Sequence, residues 1–195
     1  MLRVFFDGSL DVRAMSGIPT SEPLLVACNH LSNIDPFIFG GFTPGAMFAM
    51  AKRELYANPV LAWMLGGCNC FPVNRGAPDR WALRTSLDIL SRGGQLLLFI
   101  EGTRAASPGM KRAEAGVGFL ARRSGVPVLP IGVHGSERAL GRGRRLPRRV
   151  PIRVSVGNIF VPESATGHGA DQAVADEIGR HVAALLPPSY RGVYG

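Results

Sequence analysis

Lysine is nearly missing from this chain. Lys52 and Lys111 are the only two, and arginine supplies the rest of the 22 basic residues. The net charge of +8 favours an anionic partner, whether phospholipid, nucleic acid or a phosphorylated substrate. The arginine bias by itself carries little weight, because with so much alanine and glycine it also follows the usage of a GC-rich genome.

Cysteine is scarce as well. Cys28, Cys68 and Cys70 are an odd set, and Cys68 and Cys70 stand too close for a relaxed bridge. That excludes a disulfide framework and points to a reducing cytosol. His134, His168 and His181 show no ligand spacing with cysteines or carboxylates, so no metal site and no cofactor are expected.

No apolar run is long and unbroken enough to cross a membrane. Leu55 to Asn74 carries no charge, yet Asn58-Pro59, Gly66-Gly67 and Asn69 interrupt it. After Arg3 the apolar run is too short for a secretory signal.

What is present suits one domain. At 195 residues and 46% hydrophobic, the chain has enough apolar surface for a single core and is short for two. Leu2 to Phe6 and Leu10 to Met15 predict a hairpin around Asp7-Gly8, so residues 1–23 form a lead-in. Residues 24–135 hold the motifs, and 136–195 an arginine-rich segment, a strand and a final helix.

Strands are predicted at Leu24 to Cys28, Met47 to Met50 and Gln95 to Ile100. Val128 to Val133 is a further strand interrupted by Pro130, and Val150 to Val156 alternates as a half-buried one. Helices are predicted over Pro78 to Arg92, Ala113 to Ser124 and Asp171 to Leu186, with proline or glycine at their boundaries. Strands alternating with helices give a single-domain α/β layered fold, a mixed but mostly parallel sheet flanked by helices.

The chemistry begins where the first core strand ends, at Asn29-His30-Leu31-Ser32-Asn33-Ile34-Asp35-Pro36. Five residues along a helix would leave His30 and Asp35 on different faces. Pro36 disfavours αR at Asp35 and suits a first helical turn, so Asp35 is placed as the cap of a helix starting near Pro36. A tight strand-to-helix turn then brings the carboxylate to the imidazole, fixing one ring nitrogen and leaving the other free to take a proton.

Glu101-Gly102-Thr103-Arg104 follows a buried strand, at the end where α/β sheets place ligands. Gly102 permits close backbone approach, and Arg104 can fork onto phosphate oxygens. Cys70-Phe71-Pro72-Val73-Asn74-Arg75 ends another apolar run on an arginine, making Arg75 a second phosphate candidate. Cys28 has the routine role of a small buried residue rather than a nucleophile.

In this order the segments resemble the glycerolipid acyltransferase family, which includes the 1-acylglycerol-3-phosphate (lysophosphatidate) acyltransferases, from about Leu24 to Gly135. His30 to Asp35 is similar to its histidine, four residues, aspartate motif. Phe99 to Arg104 resembles its Phe-Pro-Glu-Gly-Thr-Arg block with Ile100 in place of proline. Phe71 to Arg75 looks like its second block, with Asn74 for the common aspartate, and Val126 to Ile131 like its fourth; Ala105 replaces a frequent serine. Any one block is weak, whereas four in order are specific.

The resemblance implies that His30 is the general base, oriented by Asp35. It would take a proton from an acceptor hydroxyl that attacks an acyl thioester of coenzyme A or acyl carrier protein. It assigns Asn74, Arg75 and Glu101, Gly102, Thr103 and Arg104 to acceptor binding, with Pro130 shaping the pocket. The expected acceptor is the lysophospholipid 1-acylglycerol-3-phosphate, with glycerol-3-phosphate or a lyso-aminolipid as alternatives. A cytoplasmic protein resting on the inner face of the cell membrane is expected.

Ser136 to Arg153 contains Arg138, Arg142, Arg144, Arg145, Arg148, Arg149 and Arg153. It suits a solvated loop or a contact with an anionic membrane surface, helped by apolar residues near Leu55 to Leu65. A catalytically decayed basic module holding nucleic acid is the rival from another class. The arginine run lacks the interleaved aromatics of a single-strand platform, so no nucleic acid is expected.

Overall fold

The apolar runs marked in the sequence form strands β1 (Leu10–Asp11), β2 (Leu24–Cys28), β3 (Met47–Lys52), β4 (Cys70–Val73), β5 (Gln95–Phe99), β6 (Val128–His134) and β7 (Ile152–Val156). The structure, a computed structural model, describes residues 10–74, 79–104, 109–140 and 148–195. The helices are α1 (Asp35–Phe42), α2 (Pro59–Gly67), α3 (Arg80–Ser91), α4 (Ala115–Ser124), α5 (Ser136–Leu140) and α6 (Ala170–Ala184).

The seven strands make one sheet of order β1-β7-β6-β2-β5-β3-β4. From β6 to β4 every neighbouring pair is parallel, while β7 runs antiparallel to β6 and β1 follows β7. The sheet is mixed and mostly parallel, as expected.

All five residues of β2 are buried, because helices cover both faces of the sheet. Alternation sends Val26 and Cys28 to a layer shared with Met15, Ile38 and Phe39. Leu25 and Ala27 go to the opposite layer with Leu120, Val174 and Ile178. On that second face α4 and α6 approach so closely that a Cβ on Gly118 would lie 1.8 Å from the carbonyl oxygen of Asp171. Only glycine fits there.

The N-terminal hairpin is corrected in its described half; Leu2 to Phe6 lies outside the described residues. Leu10–Asp11 pairs in parallel with β7, and Arg13–Gly17 is a 3-10 turn. Asp11 accepts both guanidinium donors of Arg13 at 3.0 Å, curling the chain so that Met15 enters the core.

β6 also runs unbroken through Pro130. Gly157 donates its N–H to the Pro130 carbonyl at 2.9 Å, and the return bond that proline cannot make falls where β7 has ended. The uncharged stretch rejected as a membrane span contains the nine-residue α2, capped by Asn58. No helix among the described residues is long and apolar enough to cross a membrane.

Candidate active site

The parallel strands β2, β4 and β5 end on one edge of the sheet, and each end carries one of the sequence blocks. Cys28 and Phe99 are partners in register, so His30 and Glu101, each two residues further on, stand level.

His30 Nδ1 lies 2.9 Å from Asp35 Oδ2, and the same oxygen accepts the Leu31 and Ser32 N–H groups at 2.8 Å each. Asp35 is the first residue of α1 and makes no bond to the helix amides. Its carboxylate turns back and caps the preceding loop, which corrects the expected helix cap. A carboxylate only accepts, so Nδ1 carries the proton and Nε2 keeps its lone pair. Asp35 is fully buried and His30 nearly so. The imidazole stacks on Phe99, centroids 4.1 Å apart.

The loop bearing His30 is pinned from several sides. Asn29 exchanges two hydrogen bonds with the backbone of Val133, both 2.8 Å, extending the β2–β6 ladder through a side chain. The Ser32 hydroxyl donates to the Leu140 carbonyl at 2.6 Å. Glu101 Oε1 accepts the His30 N–H at 3.0 Å, and Oε2 accepts that of Lys111 at 2.8 Å. Burial pushes the Glu101 carboxyl above its usual range, opposed by the Lys111 and His30 N–H groups.

His30 lines a cavity of about 300 Å³. Phe37, Met50, Leu61, Met64 and Leu65 make its apolar wall, and Asn33, Lys52 and Arg104 add polar groups. The Arg104 guanidinium is engaged by no described residue. Gly102 adopts φ +65°, a left-handed turn that glycine makes at least cost; Thr103 beside it is exposed.

Asn74 directly follows β4, is exposed, and donates its N–H to Asp79 at 2.9 Å. Arg75 lies outside the described residues. Pro130 is buried inside β6 against Gly157 and is not among the residues lining the His30 cavity. Of the arginine segment, Arg142, Arg144 and Arg145 lie outside the described residues, whereas Arg138 faces Glu137 at 3.6 Å and Arg153 faces Asp11 at 3.8 Å.

Cys28 is fully buried, and burial together with Asp35 and Glu101 pushes its thiol well up, as an inert core cysteine requires. Sequence reasoning did not single out Phe99, Asn33 or Lys52. Lys52 had a signal, being one of two lysines and closing a strand; Phe99 had none beyond its place in a block. The arrangement offers a clamped imidazole able to take a proton beside an apolar cavity, with a guanidinium at its edge that no described residue engages.

A family model described as Acyltransferase matches residues 9–134. The 1-acyl-sn-glycerol-3-phosphate acyltransferase of Bacillus subtilis is 26% identical over 152 residues, covering 77% of this chain and 73% of that one. A lyso-ornithine lipid O-acyltransferase of Pseudomonas aeruginosa is 28% identical, covering 61% of this chain and 46% of that one. The crystal structure of the 1-acyl-sn-glycerophosphate (LPA) acyltransferase from Thermotoga maritima shares the fold with a TM-score of 0.76 and 22% identity, over 94% of this chain and 74% of that one. The chain spans between 39% and 73% of the length of the curated relatives it matches.

Proposed function

The chain belongs to the acyltransferase family, and we propose that it transfers a fatty acyl group from a thioester, carried by coenzyme A or acyl carrier protein, to the free hydroxyl of 1-acylglycerol-3-phosphate. The product is phosphatidate. The observation that carries this reading is the His30–Asp35 pair, held at 2.9 Å on the rim of an apolar cavity.

His30 Nε2 takes the hydroxyl proton as the acceptor oxygen attacks the thioester carbonyl carbon. The new C–O bond forms, the C–S bond breaks as the tetrahedral intermediate collapses, and the imidazolium returns its proton to the departing sulfur. Asp35 keeps the ring oriented and stabilises the imidazolium. No enzyme nucleophile takes part. Arg104, joined by Arg75, holds the acceptor phosphate through charge-assisted bonds, with Asn74, Gly102 and Thr103 shaping its approach. Glu101 acts by holding the His30 loop, and Pro130 by supporting β6.

A lyso-aminolipid acceptor is the second reading, favoured by the similarity to a protein named lyso-ornithine lipid O-acyltransferase. A thiol-release assay with both donor types across a panel of lyso-acceptors tests both. We expect the fastest release with 1-acylglycerol-3-phosphate, and its loss in His30→Ala. Equal release by a folded His30→Ala protein would overturn the mechanism, and preference for lyso-ornithine lipid would transfer the assignment to the second reading.

A further inference from the structure

Four of the eight large hydrophobic side chains exposed among the described residues fall within ten positions: Leu55, Val60, Trp63 and Met64. Trp63 is 80% exposed and Val60 63%. Helical spacing puts Val60, Trp63 and Met64 on one outward stripe of α2, while Leu61 and Leu65 turn inward to the cavity. An ordinary surface helix carries polar residues outside. No residue of α2 is charged.

We propose that this outward face of α2 is a membrane-docking surface, seated in the interfacial layer of an anionic phospholipid bilayer with Trp63 as its anchor. Two observations select lipid over a protein partner. Met64 of the stripe and Leu55, in the turn Arg53–Ala57 just before α2, are exposed and also line the cavity that holds His30. The covering partner therefore meets the cavity mouth. A protein there would seal it, whereas a bilayer supplies molecules with acyl tails; this step rests on the acyl-transfer reading above. Arg53, exposed and two positions before Leu55, complements anionic headgroups, while Lys52 beside it is exposed and paired with Glu54 at 3.0 Å. Tryptophan suits the site because its ring is largely apolar and its N–H finds a partner at headgroup level.

The chain has two tryptophans, so Trp81→Phe leaves Trp63 as sole reporter. With vesicles of phosphatidylglycerol and phosphatidylcholine, Trp63 emission shifts to the blue and is quenched by brominated acyl chains. Val60→Ser combined with Trp63→Ser lowers vesicle partitioning at least about tenfold. The same pair slows turnover of a bilayer-embedded acceptor yet leaves turnover of a dispersed short-chain acceptor unchanged, since neither residue lines the cavity. Unquenched Trp63 on vesicles that retain the protein overturns the proposal, as does partitioning of the double variant equal to that of the parent. A blue shift that follows protein concentration without vesicles overturns it in favour of a second copy. Insertion of Trp63 by a protein that acylates no acceptor supports the docking surface and counts against the reaction instead.

Discussion

Glu101 holds the backbone of His30: its Oε1 accepts the His30 N–H at 3.0 Å, across 71 positions of sequence. With Oε2 on Lys111, the carboxylate ties His30 to the loop that leads away from β5. Glu101→Gln replaces one acceptor by an NH2 group that cannot accept, so one tie is lost. Activity should fall by about 10 to 100-fold through misplacement of the imidazole, seen as reduced kcat in a folded protein. Because burial raises the Glu101 carboxyl above its usual value of 4.5, its contribution to stability is full below that value and declines as pH rises through the folded-state value. Urea unfolding across about pH 4 to 7 should show this decline in the parent and not in Glu101→Gln.

Asp35→Asn keeps the shape of the clamp but removes an acceptor-only group from three donors. The ring tautomer is no longer fixed, and turnover should drop by about 10² to 10⁴-fold, the range for loss of a working general base. Steady-state kinetics with the preferred acceptor measure it; turnover within a factor of a few of the parent would exclude the orienting role.

Arg104→Ala should raise KM for phosphate-bearing acceptors at least about tenfold, because a guanidinium fork supplies paired donors. Arg104→Lys should restore only part of the loss. An unchanged acceptor KM in the alanine variant would show that Arg104 does not read phosphate.

Gly118→Ala places a methyl group where the Asp171 carbonyl already stands, 1.8 Å from the new Cβ. Backbone on both sides leaves nothing flexible to yield, so a loss of about 3 kcal/mol is expected in urea unfolding. Parent-like stability would mean that α4 and α6 stand further apart.

Asp176 joins α6 to the segment before α4. Its two oxygens take the Arg112 fork at 2.9 and 2.6 Å, and Gln172 and Tyr194 also donate to it. The Arg112 hydrogen bond holds the Asp176 carboxyl below its usual value of 3.8. A lowered value contributes stability that is present above 3.8 and lost as pH falls through the folded-state value. Acid unfolding should therefore be steeper in the parent than in Asp176→Asn.

The sequence by itself determined the helices over Arg80–Ser91, Ala115–Ser124 and Ala170–Ala184 and the strands at Leu24–Cys28, Met47–Lys52, Gln95–Phe99, Val128–His134 and Ile152–Val156, though not the edge strand Cys70–Val73, because hydrophobic period and glycine or proline stops are local signals. It also determined that His30 and Asp35 meet, since a strand-to-helix turn spans their five positions. It did not determine the N-terminal lead-in, where parallel pairing of Leu10–Asp11 with β7 depends on residues far along the chain. Nor did it determine the carboxylate tie to His30, the ring stack of Phe99 on the imidazole, or the placing of Lys52 and α2 around the cavity. Those relationships form only when β2, β5 and β3 lie side by side, in an order unlike their order in the chain. Only the tertiary structure decided them, because long-range register is fixed by burial on both sheet faces rather than by neighbouring residues.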